Sequence, residues 1–177
     1  PELFQEKYKN VYFSNQKWNG IDAVKSSLYK FKETSTYIKN PPYFKDFSMS
    51  KKELKSLEGL RVLAVFGDSI TTDHISPAGG FSIKTPAGKY LLDMGIPKED
   101  FNSYGSRRGN HEIMMRGTFA NVRIRNKMAD GIEGGFTKTP DTMEVQDIYT
   151  ASMNYAKQGT PLMILAGKDY GMGSSRD

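Results

Sequence analysis

No cysteine occurs in this chain of 177 residues, which excludes a disulfide framework, a thiolate nucleophile and any cysteine-ligated cluster held by these residues alone. Long apolar runs are missing too. None approaches the roughly 20 residues needed to cross a bilayer, and no basic-then-apolar leader opens the sequence. The 2 histidines, His74 and His111, lie far apart without carboxylate-rich spacing around them, so no metal site is recognisable. Gly171-Met172-Gly173 lacks the third glycine of a dinucleotide-binding loop, and no phosphate-loop lysine pattern exists, which removes the common nucleotide-binding motifs. No internal repeat is present.

What is there suits a globular protein: 37% hydrophobic, 25% charged and 12% aromatic residues. The length allows one sizeable core with an extra arm. A sequence that opens on Pro1 and stops at Asp177, directly after a Gly-rich turn, reads as a piece of something longer. The net charge of +5 would suit an anionic partner such as nucleic acid, an acidic membrane surface or a polycarboxylate. Lys7, Lys17, Lys30, Lys51 and their like are scattered through polar sequence, however, and their plain reading is a solvated surface.

Residues 1–58 are rich in Lys, Asn, Ser and aromatics and are broken by Asn40-Pro41-Pro42. They predict a short helix near Pro1 to Val11, then a connecting arm anchored by Trp18, Tyr29, Phe31, Tyr37, Ile38, Tyr43 and Phe44, since disordered linkers carry few aromatics. Residues 59–177 predict the compact unit. Leu60 to Phe66 is an apolar run ended by Gly67, the pattern of a buried strand. Thr85-Pro86 opens a helix to Met94, with Gly95 ending it. Gly117 to Ile124 reads as a turn and strand. Asp147 to Gln158 reads as a helix ended by Gly159, and Pro161 to Ala166 as a strand buried on both faces of a parallel or mixed sheet. The alternation of strands and helices predicts an α/β domain with a mixed sheet and flanking helices.

Three loops carry residues suited to chemistry. Gly167 to Asp177 follows a predicted strand, and its glycines free the backbone for close approach. Ser174 or Ser175 would cap a following helix, whose amides and dipole favour an anion, and Arg176 adds a bidentate carboxylate grip. Plain helix capping with a surface Arg explains the same residues equally well. Gly67 to Gly80 places Asp73 beside His74 and near Ser76. Acid-base work is one reading, and a turn that satisfies its own backbone is the other. Phe101 to Glu112 holds Arg107 and Arg108 among glycines, a pair suited either to an anion or to tying loops together through backbone carbonyls.

Taken together, Gly67-Asp68-Ser69-Ile70-Thr71-Thr72-Asp73-His74-Ile75-Ser76-Pro77, Phe101-Asn102-Ser103-Tyr104-Gly105-Ser106-Arg107-Arg108-Gly109-Asn110, Arg116-Gly117-Thr118-Phe119-Ala120-Asn121 and Gly167-Lys168-Asp169-Tyr170-Gly171-Met172-Gly173-Ser174-Ser175-Arg176-Asp177 resemble the aconitase family, in its long A-type form made of one polypeptide. The resemblance runs over nearly the whole sequence, including Ser35 to Pro41. It implies that residues 59–177 begin the C-terminal swivelling domain, with 1–58 as an inter-domain arm. It implies a hydro-lyase of the tricarboxylic acid cycle that interconverts citrate and isocitrate through cis-aconitate. A 4Fe-4S cluster, whose open iron acts as Lewis acid, would be ligated by cysteines outside this chain. Ser174 matches the family's serine base and Asp73 an aspartate of the acid-base network. Arg176 matches the grip on a substrate carboxylate, with Ser175 beside it. His74, Ser76, Arg107 and Arg108 are further candidates. The same resemblance implies upstream domains in cis, a cytoplasmic monomer, no membrane partner, and RNA as a partner of cluster-free relatives. A 2-methylcitrate dehydratase of the same superfamily is the close alternative. In one departure from the family pattern, Met94 stands where members often carry a substrate-binding arginine.

Overall fold

A computed structural model describes every residue except Ser14, Ala23, Val24, Lys52, Leu54 and residues 175–177. The chain divides into two compact units, Pro1–Lys30 and Phe31–Asp177. The first holds α1 (Glu2–Tyr8) and α2 (Gln16–Asn19), and neither helix buries a side chain. Phe4 stacks on Tyr8 one turn away, with ring centroids 4.3 Å apart. Asn15 caps α2 by accepting the Trp18 amide at 3.1 Å.

The second unit runs in the order β1 (Arg61–Val65), α3 (Thr72–Ile75), α4 (Pro86–Asp93), α5 (His111–Gly117), β2 (Phe136–Lys138), β3 (Val145–Asp147), α6 (Ile148–Lys157) and β4 (Leu162–Leu165). This is the α/β class the alternation predicted. β1 and β4 pair in parallel, Arg61 opposite Leu162 and Val65 opposite Leu165, while β2 and β3 form an antiparallel hairpin. The other edge of β1 is satisfied by side chains and by the Lys127 amide, which donates to Val65 O. Buried Asn126 accepts the Val65 amide and donates to Phe136 O, and the Thr137 hydroxyl donates to Leu63 O at 2.6 Å.

Two apolar clusters hold the unit. Leu63, Ala64 and Phe66 of the β1 segment pack with Ile148 and Ala151 of α6 and with Ile70, Phe119 and Ile124. Ala87 and Leu91 of α4 pack with Ile113 and Met114 of α5 and with Phe101 and Tyr104. A fully buried Leu such as Leu91 contributes about 1.5–3 kcal/mol through transfer from water. α4 begins as predicted. The Thr85 hydroxyl accepts the Gly88 amide at 3.1 Å, Pro86 fills the first turn, and Gly95 follows the helix at φ +76°.

The structure departs from the sequence reading at three places. Gly117 to Ile124 forms no strand. α5 ends at Gly117, Phe119 takes a left-handed φ of 60°, and its amide donates to Ile75 O. A turn, not a pleat, thus carries Phe119 and Ile124 into one cluster. β4 is not buried on both faces, since its residues alternate between half-buried and exposed, with Met163 at 38% and Leu165 at 45% exposure. Only one face of β4 is covered, whereas Leu63 and Ala64, adjacent on β1, are both buried. Part of the arm packs on the residues after 58, since the second compact unit begins at Phe31. Thr36 is buried there, and Lys39 donates its amide to Gly109 O. Trp18, Tyr29, Tyr43 and Phe44, expected as anchors, are largely exposed.

Candidate active site

The two loops that leave the C-terminal ends of β1 and β4 run side by side. The Phe66 amide donates to Leu165 O and the Gly167 amide to Gly67 O; beyond them the Ser69 amide reaches Lys168 O, the Gly171 amide Ile70 O and the Thr72 amide Met172 O. This backbone ladder extends the parallel pairing past the strands. It ends where Gly173, at φ +131°, passes so close to Thr72 that an added Cβ would lie 2.7 Å from the Thr72 hydroxyl. Ser174 follows at once and is exposed. The ladder therefore brings the Ser174 segment against Thr72, the neighbour of Asp73, from sequence positions about a hundred residues apart. The crevice outside the carboxyl ends of parallel strands is where open α/β sheets bind ligands.

Around Asp73 the geometry is set by α3. The Thr71 hydroxyl accepts the Asp73 amide at 3.3 Å, and the Nδ1 of His74 accepts the Thr71 amide at 3.0 Å, closing a reciprocal cap. With Nδ1 engaged as an acceptor, the neutral imidazole carries its proton on Nε2. The Asp73 side chain is exposed, and its carbonyl accepts from the Asn121 amide group at 3.2 Å. Ser76 is half-buried and borders, with Ile75, Pro77, His111 and Met114, a cavity of about 320 Å³. Ser175 and Arg176, expected beside Ser174, lie outside the described residues.

The third loop joins the far end of the β1 loop, the Tyr104 amide donating to Gly79 O and the Gly105 amide to Ala78 O. Arg107 does not serve there as an anion grip. It is 1% exposed, and its guanidinium donates to Phe101 O, Asp100 O, Thr36 O and the Thr36 hydroxyl at 2.7–2.9 Å. Its flat face lies 4.0 Å from the Tyr37 ring centroid. Backbone carbonyls and the Thr36 hydroxyl take every nitrogen of the side chain, which is the loop-tying one of the two readings its sequence allowed. Arg108, next to it, is exposed. Met94 is half-buried at the end of α4, its amide donating to Tyr90 O and Leu91 O.

A second cavity, about 410 Å³, is lined by Lys84, Thr85, Arg116, Glu133, Asp147 and Tyr149 among others, none of them in the laddered loops. Arg116 is held within it by Glu112 at 2.6 Å and by the rings of Tyr90 and Tyr149. Burial pushes the Tyr104 hydroxyl up to about 12, with Thr85 offsetting only a part of it, and Tyr170 is raised for the same reason. Sequence reading passed over Asp68, whose Oδ1 accepts the Lys168 amide at 2.8 Å. The available signal was an Asp directly after one strand-ending glycine, Gly67, in a sequence with a matching glycine, Gly167, after the other strand.

The site chemistry offers no ligand set for an iron-sulfur cluster. The chain has no cysteine, and the described residues contain no group of three His, Asp or Glu able to hold a metal. No helix among the described residues is long and apolar enough to cross a membrane.

The fold and the paired loops define an α/β domain with its candidate site at the carboxyl ends of two parallel strands. A family model described as the aconitase C-terminal domain matches residues 87–177, and the chain belongs to that family. Aconitate hydratase A of Bacillus subtilis (strain 168) is 58% identical over all 177 residues, and the aligned part is 20% of that relative. Aconitate hydratase A of Staphylococcus epidermidis (strain ATCC 12228 / FDA PCI 1200) and of Staphylococcus aureus (strain N315) match with the same identity and coverage. The chain thus spans about a fifth of the length of these curated relatives.

Proposed function

We propose that these residues are part of a longer aconitate hydratase, a cytoplasmic hydro-lyase of the tricarboxylic acid cycle that interconverts citrate and isocitrate through cis-aconitate. The observation that supports the reading is the ladder between the β1 and β4 loops, in which Gly173, the residue before Ser174, lies against Thr72, the residue before Asp73. In this reading Ser174 Oγ removes the proton alpha to a substrate carboxylate, hydroxide leaves the adjacent carbon, and cis-aconitate results. Rehydration at the other carbon reverses the two transfers. A serine is a weak base at its free pKa, so it needs donors and positive potential around it. Asp73 belongs to the proton network, with His74 and Ser76 shaping its loop. Ser175 and Arg176 bind the substrate carboxylate. The 4Fe-4S cluster of this activity, held by cysteines outside these 177 residues, supplies Lewis acidity when bound. Residues 59–177 are the start of the swivelling domain, and the arm from Phe31 travels with them because Thr36 is tied to Arg107 and Asn110.

The test is Ser174→Ala in the full-length protein with cluster occupancy matched to wild type, following cis-aconitate by its ultraviolet absorbance. Removal of a general base lowers turnover by about 10²–10⁴-fold, with the cluster spectrum unchanged. Near-normal turnover would remove the role of Ser174, and an inactive wild-type protein would remove the assignment as a whole.

A further inference from the structure

Parallel strands hold together only while both partners keep extended geometry, and here both abandon it just past the sheet. Ser69 takes φ 60° and Asp169 φ 58°, left-handed values that cost an ordinary residue about 1–2 kcal/mol. The two kinks face each other at the base of the paired loops, because the Ser69 amide donates to Lys168 O. Immediately before them the Lys168 amide turns to a side chain, donating to Asp68 Oδ1 at 2.8 Å across 100 residues of sequence. Room for that carboxylate comes from Gly167. A Cβ there would collide with Asp68 Oδ1 and lie 2.8 Å from the Asp68 amide.

We infer that Asp68 is a positioning residue, a latch that fixes the β4 loop to the β1 loop at the point where both leave the sheet and so sets the place of Ser174. The inference rests on the function proposed above for that serine. The latch works through an acceptor oxygen of the right reach, and the negative charge is incidental to it. An amide oxygen at the same position therefore does the same work, and an alanine does not. Because Asp68 is exposed, water replaces the lost acceptor at little cost to the fold. The loss appears in where the loop sits, as a fall in kcat with KM little changed, since a misplaced reacting group slows the chemical step without abolishing it.

The experiment compares Asp68→Ala and Asp68→Asn in the full-length protein, reading steady-state kinetics with isocitrate and hydrogen exchange of peptides covering residues 167–173. Asp68→Ala is expected to lower kcat by about tenfold, a 1.4 kcal/mol change in barrier, to move KM by less than about threefold, and to speed exchange at Lys168 and Gly171. Asp68→Asn is expected to restore both readouts to near wild type. Wild-type exchange and kcat in Asp68→Ala overturn the latch, and so does an Asn variant as impaired as Ala, which would assign the effect to charge. Should the Ala protein fail to fold, Asp68→Asn decides alone: near-wild-type exchange and kcat support the latch, and fast exchange with lost turnover overturns it. A wild-type protein without hydratase activity defeats the proposed function, while the exchange comparison still judges the latch by itself.

Discussion

Tyr104 carries a buried hydroxyl inside a cluster where its ring lies 4.4 Å from Phe81 and touches the space left by Gly117. Burial raises its pKa from 10.0 to about 12, so ionisation is harder in the folded state than in the unfolded one. The stability it supports is therefore complete below about pH 10 and is lost as pH rises through about 12. Tyr104→Phe removes the buried hydroxyl together with this titration. The expected outcome is stability within about 1 kcal/mol of wild type near neutral pH and a flatter alkaline limb. Urea denaturation of both proteins from about pH 8 to about pH 11 checks it, and parallel alkaline limbs would contradict the assignment. At this scale the sequence was only partly legible. Arg107 and Arg108 look alike in sequence, and only the carbonyls of Asp100, Phe101 and Thr36 around Arg107 separate a buried tie from an exposed cation.

Among the elements, α4 was the most legible because its signals are local: a Thr cap, a proline in the first turn and a glycine after the last. Gly88 in its middle carries a less visible constraint. A Cβ there would collide with Ser82 O and lie 2.8 Å from Ile83 Cα, since the backbone before the helix folds back against its first turn. Helix propensity alone favours Gly88→Ala by about 1 kcal/mol. The expected outcome is the opposite, a loss of about 1–3 kcal/mol from overpacking, read as a lower denaturation midpoint by circular dichroism. A midpoint at or above wild type would refute this close approach. The β2–β3 hairpin escaped sequence reading because each strand has three residues, too few for alternation to register. The strand expected between Gly117 and Ile124 failed for the converse reason, since its apolar residues fit a pleat but reach the core through a turn.

At the scale of the whole molecule, the α/β class followed from the order of apolar runs, while the boundary of the compact unit did not. Composition placed the border at residue 58, yet Thr36 accepts from both Arg107 and Asn110, contacts that join the arm to a loop 71 and 74 residues away. A protein of residues 31–177 is expected to be more stable than one of residues 59–177 by about 1–3 kcal/mol, because the shorter one loses the Thr36 acceptors of Arg107 and Asn110. Equal urea midpoints for the two would put the border back at 58. The site was legible as motifs and illegible as a place. Thr72 and Gly173 carry no sequence signal that they lie together, and the parallel pairing of β1 with β4 supplies it. That pairing also dictates when the site can exist during folding. Pairing β1 with β4 closes a loop of about 100 residues, an entropic cost of about 4 kcal/mol by polymer scaling. Everything between, from α3 to α6, must be largely in place before the closure is favourable, so the paired loops belong among the last contacts to form and the first to open. A newly made polypeptide would hold the α4–α5 cluster before the β1 and β4 loops lie side by side.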